Sequence, residues 1–443
     1  MPVLRTLILL AVFMLMAVEA MAGEALGLRE AVNLALEKNS LLLAADSEQS
    51  AAEAGVTASR SRYLPRLFFE ERAASTNSGT RAFMMRLDEG RFSLGGDLNH
   101  PSTTSDMQTT FSIEQPLFDL SIGSGIQAAR EEVNARSFSL ENKRQEVAFQ
   151  VYAAYLAVQK AHSQLAVSEE AVSAAREHLR LAGVRTAEGV GLKFDELRIG
   201  TFLSDMEQQR ITAENELRIA RLRLGLVTGL PAGAAPDVSE QIRPAELHIE
   251  ADELAREAES GRRDLQELAA EVAKADAAVA AVRGSYWPTV YASASYQMND
   301  RDIPFGRDND SWLVAATLRW EFFDGFRRQG ELSRARASRD AAESYLNNQR
   351  REAALQVRES LLRRTETASR LEVGKNAVKD AEEMVRLINK RFENALATTV
   401  ELLDAQTALN RTRSHLVENE AAHALATAQV YRTAGLFLKE MLK

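Results

Sequence analysis

The feature that most constrains this chain is residues 126–188, which carry an uninterrupted helical pattern of small and apolar residues. These residues recur at alternating steps of four and three, a mean period of about 3.5 that is typical of a coiled-coil seam. No proline lies between Pro116 and Pro231, so nothing there breaks a helix. At about 1.5 Å per residue, such a helix reaches roughly 95 Å, several times the diameter of a small domain. The seam positions are Val147, Val151, Ala154, Val158, Ala161, Leu165, Ser168, Val172, Ala175, Leu179 and Ala182.

The N-terminus has the three parts of a secretory signal peptide. Arg5 precedes an uncharged apolar run over residues 6–18, and Ala20-Met21-Ala22 supplies the small residues of a cleavage site. The run is shorter than the ~20 residues of a membrane-spanning helix, which disfavours the alternative of a membrane anchor. We expect cleavage after Ala22. Since the chain has no cysteine, we expect neither disulfides nor a lipid anchor on an N-terminal cysteine.

The composition favours a large apolar core and argues against several functional classes. Hydrophobic residues make up 45% of the chain, and the net charge of -9 provides no basic surface for nucleic acid. No nucleophile elbow or phosphate-binding loop is present, so we do not expect an enzyme. The histidines show no close metal-ligand spacing, and they are His100, His162, His178, His248, His415 and His423.

The first half of the mature sequence predicts helices on either side of a strand pair. A helix is predicted over residues 28–62, and strands over about 67–72 and 107–118. Residues 75–105 between these strands are rich in Ser, Thr, Gly and Asn, and predict a long exposed loop. The long helix follows, and after a glycine-containing turn a further helix is predicted over about 194–226.

The second half repeats this order. A predicted helix over residues 251–283 precedes alternating runs over 290–296 and 311–323. Matching pairs are Pro65 with Pro288, Phe118-Asp119 with Phe323-Asp324, Val151 with Val357, and Arg185 with Arg391. Such a duplication suggests two halves with equivalent roles. We therefore divide the chain into a signal peptide (1–22), a first repeat (23–228), a connecting segment (229–250) and a second repeat (251–443).

The strand predicted over residues 311–323 has one apolar face and one polar face. Thr317 and Arg319 lie on the polar face, whereas large aromatic residues lie near the ends of the apolar face. Membrane β-strands have this pattern at about ten residues, although a soluble sheet packed on helices alternates in the same way. Four strands cannot close a barrel within one chain, so membrane insertion would require several protomers. The candidate lipid-facing girdle residues are Trp312, Trp320 and Phe322.

Two turns at the ends of the long helices carry the most specific motif. It consists of a basic or aromatic residue, a glycine four positions later and an acidic residue six positions after that. Arg185, Gly189 and Asp195 fit the first turn, and Arg391 and Glu401 fit the second. With this motif and the duplication, the chain resembles the outer-membrane efflux protein family, the TolC-like channel-tunnels. The resemblance covers essentially all of the mature sequence.

Two further pieces support the resemblance, and two residues depart from it. Residues 115–119 and 321–325 are similar to the strand-end segments of the family. Ala395 stands where the second turn usually has glycine, and Ala397 stands where some members have an arginine that helps to close the entrance. The geometry of the second turn and its closing contacts therefore differ from the family pattern.

The resemblance implies a mainly α fold with a membrane β part. Long coiled-coil hairpins would form an α-barrel, and three protomers would each give four strands to a twelve-stranded β-barrel. Such a channel lies in the outer membrane of a Gram-negative bacterium and exports small molecules or polypeptides in tripartite efflux or type I secretion. Its implied partners are a homotrimer, outer-membrane lipid, a periplasmic adaptor and an inner-membrane pump of the RND, ABC or MFS type. No nucleic acid, catalytic residue, cofactor or bound metal is implied.

The resemblance also assigns roles to residues in the turns. Candidate residues of the periplasmic constriction are Glu401, Asp404 and Asp195. The alternative for Asp195 and Glu401 is helix capping, because an acid in the first turn of a helix favours the helix dipole. Candidate residues for adaptor docking are Arg185, Gly189, Gly191, Leu192, Arg391 and Ala395.

A different class of protein remains as the rival hypothesis. A soluble periplasmic coiled-coil adaptor, or a plain structural coiled coil, would also carry the long helical seam. An adaptor is expected to have one helical hairpin flanked by β-rich domains. This chain instead alternates two hairpins with two strand pairs, which favours the channel.

Overall fold

The computed structural model of the protein describes residues 25–93, 95, 97, 99–242, 250–394 and 396–440. The predicted signal peptide therefore lies outside the described residues. Two compact units make up the chain: the first comprises residues 1–47, 138–266 and 347–443, and the second comprises residues 48–137 and 267–346. None of the helices in the described part is both long enough and apolar enough to cross a membrane.

Helices dominate both units, as the sequence predicts. In chain order, helices α1 to α10 span Leu28–Lys38, Ser40–Arg60, Gly79–Asp88, Leu120–Ala187, Lys193–Val227, Ala251–Gly261, Arg263–Gly284, Arg327–Glu393, Thr399–Thr433 and Phe437–Glu440. Strands β1 to β6 span Ala25–Leu26, Arg66–Thr76, Thr104–Phe118, Asp237–Val238, Thr289–Asp300 and Asn309–Arg319. The long helix is confirmed as α4, which has 68 residues, and its counterpart α8 has 67.

Two predicted helices are each broken into two shorter ones, so the prediction of unbroken helices over 28–62 and 251–283 is wrong. Asn39 separates α1 from α2 with an extended backbone, and its side chain accepts a hydrogen bond from the Leu41 N–H at 2.9 Å. Asparagine can interrupt a helix in this way because its side chain forms hydrogen bonds with nearby backbone groups in place of those within the helix. Arg262 separates α6 from α7, also with an extended backbone. The separation of Asn39 from Arg262 equals that of Pro65 from Pro288.

The predicted exposed loop over residues 75–105 contains helix α3, which the sequence analysis missed. Ala82 on this helix is fully buried, and the ring of Phe83 packs edge-on against Phe92 with centroids 5.0 Å apart. The Asn309 amide donates to the carbonyl oxygen of Asp88 at 2.9 Å, at the end of the helix. A short apolar run inside a Ser- and Gly-rich segment is therefore held by packing within the second unit.

A four-stranded antiparallel sheet lies in the second unit, in the order β2-β3-β5-β6. Its register aligns side chains in rows that run across all four strands. One row is entirely aromatic: Phe69 pairs with Phe111, Phe111 with Tyr296, and Tyr296 with Trp312. The next row of the same face consists of Leu67, Ile113, Ala294 and Val314. This part of the face is therefore apolar, whereas the row on the other side of the aromatic row consists of Glu71, Thr109, Met298 and Asp310.

The opposite face of this sheet is mainly polar. One of its rows consists of Glu70, Thr110, Gln297 and Ser311, and another of Arg66, Glu114, Ser293 and Ala315. Since side chains alternate between the faces of a strand, the alternation predicted for a single strand recurs in these rows of the sheet. With these rows, one side of the sheet is suited to an apolar environment and the other side to water.

In the first unit, α4 and α5 form one helical hairpin, and α8 and α9 form a second one. Contacts between the two hairpins join α9 to both α4 and α5. The Gln164 amide donates to the Ser414 hydroxyl at 2.9 Å, and Leu403 is buried together with Ala182 and Ile199. We call this line of contacts the inter-hairpin seam. It joins the halves of the duplication along their long helices.

Candidate functional site

The tip of the first hairpin is a tight turn that requires glycine at two positions. Gly189 has φ +76°, a left-handed conformation that favours glycine at the end of a helix. The N–H groups of Val190 and Gly191 both donate to the carbonyl oxygen of Arg185 at 3.0 Å. A Cβ on Gly191 would lie 3.0 Å from the backbone nitrogen of Thr186. Leu192 precedes α5, and its side chain is exposed.

The tip of the second hairpin closes with different residues. The Leu396 N–H donates to the carbonyl oxygen of Arg391 at 2.8 Å, and the Arg391 guanidinium donates back to the Leu396 carbonyl at 3.2 Å. Ala395, the residue that departs from the family pattern, lies outside the described residues. Ala397 is half-buried and lies just before the helix α9 cap. The described part of this turn is therefore held by Arg391 rather than by a left-handed glycine.

Arg185 links the two tips. Its guanidinium donates to the carbonyl oxygens of Phe392 and Glu393 at 3.0 and 3.1 Å, and it lies 4.6 Å from the centre of the Phe392 ring. These carbonyls belong to the last turn of α8, where backbone acceptors lack partners within the helix and a cation is favoured by the helix dipole. Arg185 therefore ties the first hairpin to the end of the second one.

The candidate constriction residues lie in the first turns of α5 and α9. Glu401 forms a capping box with Thr398: its carboxylate accepts the Thr398 N–H at 2.7 Å and the Thr398 hydroxyl at 2.9 Å. These bonds hold the pKa of Glu401 below its ordinary value, so the carboxylate is charged at neutral pH. Asp404 is exposed one turn further along, and Asp195 is half-buried in the first turn of α5. Glu401 therefore has a capping role, and the role of these acids in conduction stays a prediction.

The girdle candidates occupy two levels of the second unit. Trp312 is 76% exposed and ends the aromatic row on the apolar face. The prediction that the last strand reaches residue 323 is wrong, because β6 ends at Arg319. Trp320 and Phe322 therefore lie beyond the strand, where their rings pack 4.6 Å apart and the Trp320 indole donates to the Tyr286 carbonyl at 3.2 Å. Both side chains remain exposed.

The chain turns from β6 into α8 through a segment with an unusual backbone. Gly325 and Phe326 both have φ +68°, which is costly for a bulky residue such as phenylalanine. The turn is held by Arg328, which is buried and donates to Asp324 at 2.7 Å and to the Ser285 carbonyl at 3.2 Å. This local fold explains why the alternating pattern continues in the sequence after the strand has ended.

A match to a protein family identifies the kind of protein in which these tips and this sheet occur together. The chain matches the outer membrane efflux protein family over residues 31–230 and 254–436. It belongs to that family. This efflux protein is therefore an outer-membrane export channel of the TolC-like type, and the resemblance found in the sequence is confirmed. The rival hypothesis of a soluble periplasmic adaptor is not supported.

Sequence relatives of the efflux protein include two from Pseudomonas aeruginosa. The alkaline protease secretion protein AprF is 23% identical over 422 residues, which cover 93% of this chain and 85% of AprF. The outer membrane protein OprJ is 24% identical over 422 residues, covering 92% of this chain and 84% of OprJ. The match to both relatives extends over nearly the whole length of the efflux protein.

Solved structures show the same fold as the efflux protein at low sequence identity. The CmeC outer membrane channel of Campylobacter jejuni matches with a TM-score of 0.80 and 15% identity, covering 93% of this chain and 86% of CmeC. The outer membrane protein VceC of Vibrio cholerae matches with a TM-score of 0.78 and 17% identity, covering 92% of this chain and 96% of VceC. The predicted fold class, long helical hairpins with a β part, is confirmed.

Proposed function

We propose that three copies of this efflux protein form one channel, with four strands from each copy in a shared twelve-stranded barrel. The sheet of the second unit carries this proposal. Among the described residues, β2 pairs only with β3, and β6 pairs only with β5, so the sheet has two open edges. Lipid contains no water to satisfy the N–H and C=O groups of an edge, so the edges require strands from other copies.

By resemblance to the family, the helical hairpins would lie in the periplasm and end at the two tips. An adaptor would dock on the tips, and an inner-membrane pump of the RND, ABC or MFS type would drive transport. Relatives are described as proteins of alkaline protease secretion and of toluene efflux, so polypeptides and small apolar molecules are both candidate cargo. The channel itself performs no catalysis and needs no cofactor. We also propose that a signal peptide directs export and is then cleaved, and we propose the two-repeat division described above.

The homotrimer is the first testable prediction. We expect the purified protein to migrate as a trimer in mild detergent and to dissociate on heating, because heat breaks the pairing between the open edges of β2 and β6. Light scattering coupled to size-exclusion chromatography measures the mass of the protein component. A protein that remains monomeric at every concentration in mild detergent would contradict the proposal.

A second prediction concerns the acidic side chains at the second tip. If three copies meet around one axis, Glu401 and Asp404 place six carboxylates around a narrow mouth, which would attract cations and allow block by divalent ions. We expect Glu401→Gln/Asp404→Asn to lower cation selectivity and to weaken divalent block in planar-bilayer recordings. Glutamine can still occupy the third position of a capping box, so this change removes charge and retains the cap.

The matched control for this experiment is Glu418→Gln/Glu420→Gln. It removes the same charge from the same helix, α9, farther from the tip. We expect its selectivity and divalent block to equal those of the unchanged protein. If the tip variant also behaves like the unchanged protein, Glu401 has only its capping role.

A further inference from the structure

His178 is a titratable residue on α4 that none of the roles above uses. Its side chain is only 9% exposed, and its Nδ1 atom is buried without a hydrogen-bond partner. Burial lowers the pKa of the imidazole, while Glu177 and the neighbouring Gln406 amide partly oppose this shift. Gln406 lies on α9, so His178 is buried in the inter-hairpin seam.

The seam around His178 is polar and uncharged. Gln406 and Asn410 are both buried on α9, and the Asn410 amide donates to the Met206 sulfur on α5 at 3.4 Å. Two hydrophobic contacts flank this layer: Leu403 packs with Ala182 toward the tip, and Met206 packs with Ala175 within the first hairpin. The environment therefore accommodates a neutral imidazole, and the nearest carboxylate, that of Glu177, is paired with Arg180.

The charged groups near this layer have other partners or face solvent. On α4, Glu177 binds Arg180, and Arg176 reaches across to Glu207 on α5. On α9, Asp404 is exposed, and Arg413 pairs with Glu170 of α4 and Glu382 of α8. Within the described part of the chain, none of these groups has a hydrogen bond to His178. Burial therefore has the largest effect on the pKa of His178, and Glu177 is the charged residue that shifts this pKa most.

We propose that His178 is a proton-sensitive switch of the tip: protonation places an unpaired charge in the inter-hairpin seam and favours separation of the two hairpins. This inference rests on the proposed function and adds to it that the tips close the channel and open when the hairpins move apart. Separation exposes the imidazole to water, which solvates the charge. The His178 imidazole therefore has a lower affinity for a proton when the seam is closed than when it is open.

The direction of the pH effect follows from this difference. In separated hairpins the imidazole titrates near its ordinary value of about 6.5, and in the closed seam it titrates at a lower pH. Above the ordinary value the residue is neutral in both states, and pH has no effect through it. Below that value, each unit of pH favours the separated state by up to about tenfold for each copy, until the closed state is also protonated.

The test compares single-channel recordings of the assembled protein at about pH 7.5 and pH 5.5. We expect the open fraction of the unchanged channel to rise at the lower pH, by up to about tenfold for each copy. His178→Gln retains a polar side chain and cannot be protonated, so its open fraction should not change through this route. His415→Gln changes an exposed histidine on α9 and should keep the full response. Thermal melts at both pH values establish that each variant is folded.

A cross-link shows whether the response acts through the seam. The chain has no cysteine, so Gln164→Cys/Ser414→Cys introduces a single pair at two side chains that are hydrogen-bonded at 2.9 Å. A short bis-maleimide bridge should suppress opening at low pH, whereas the same variant without the bridge should respond.

Two outcomes would overturn the inference: His178→Gln with a response equal to that of the unchanged channel, or a bridged variant that still opens at low pH. A channel that conducts but shows no pH response overturns this inference and leaves the proposed function intact. A protein that never conducts overturns the proposed function itself.

Discussion

Val314→Arg is expected to prevent assembly of the channel in the membrane. Val314 lies in the second row of the apolar face, beside Ala294 and one row from the aromatic row. An arginine on the lipid face of a barrel costs about 2 to 4 kcal/mol near the midplane, and a trimer would carry three of them. We expect the yield of heat-sensitive trimer in the outer-membrane fraction to fall by tenfold or more.

The adjacent residue provides the matched control. Ala315 lies on the polar face, in the row with Ser293 and Glu114. Ala315→Arg should therefore assemble with nearly normal yield, since its guanidinium faces water and lies near a carboxylate. Equal loss of trimer for both variants would indicate a general folding defect. Normal yield for both would mean that the apolar face does not contact lipid.

Arg185→Ala is expected to open the tip. The change removes two hydrogen bonds from a charged donor, to the carbonyls of Phe392 and Glu393, together with the stacking on the Phe392 ring. Hydrogen bonds to charged groups contribute about 1.5 to 3 kcal/mol each when well buried, and partial exposure lowers this contribution. A total of about 1 to 3 kcal/mol predicts an increase in the ratio of open to closed tips of roughly 5- to 150-fold.

Two variants separate this effect from a change in charge. Arg185→Lys keeps the charge but lacks the planar guanidinium, so we expect partial opening. Arg180→Ala removes an exposed arginine that pairs with Glu177 on the same helix, and it should not change the open fraction. Single-channel recordings in planar bilayers measure all three. An Arg185→Ala channel that stays closed would show that the contact between the tips is not part of the closure.

The long helices could be predicted because their signal is local. The 3.5-residue period around Val151 and Val158 and the absence of proline define α4 without knowledge of its partners. Helix breaks at Asn39 and Arg262 were not predicted, because both residues are stabilised by distant groups. The Asn39 amide donates to the Val227 carbonyl, and the Arg262 guanidinium donates to the Thr433 carbonyl. Backbone carbonyls carry no residue-specific signal in a sequence.

Prediction of the contacts at the two tips from the sequence was limited in the same way. The sequence motif identified Arg185 and Glu401, but their partners were missed for different reasons. The capping box of Thr398 and Glu401 has a recognisable spacing of three residues, and this signal could have been found. The bonds of Arg185 to the end of α8 could not, because they join residues far apart in the chain through the backbone. Likewise, the pattern through Phe322 suggested a longer strand, but β6 ends at Arg319, and the chain then turns at Gly325 and Phe326.

The two open edges of the sheet have a consequence for the order of assembly. When two copies pair through the β2 edge of one and the β6 edge of the other, one edge of each kind is still exposed. The N–H and C=O groups of these two remaining edges still lack hydrogen-bond partners. In the proposed trimer, only the third copy pairs all the remaining free edges of the described strands. Assembly should therefore be all-or-none, with intermediates that are scarce in lipid and prone to aggregate in water. In cells that overproduce this protein, we therefore expect these intermediates to accumulate before the outer membrane reaches its capacity for the channel.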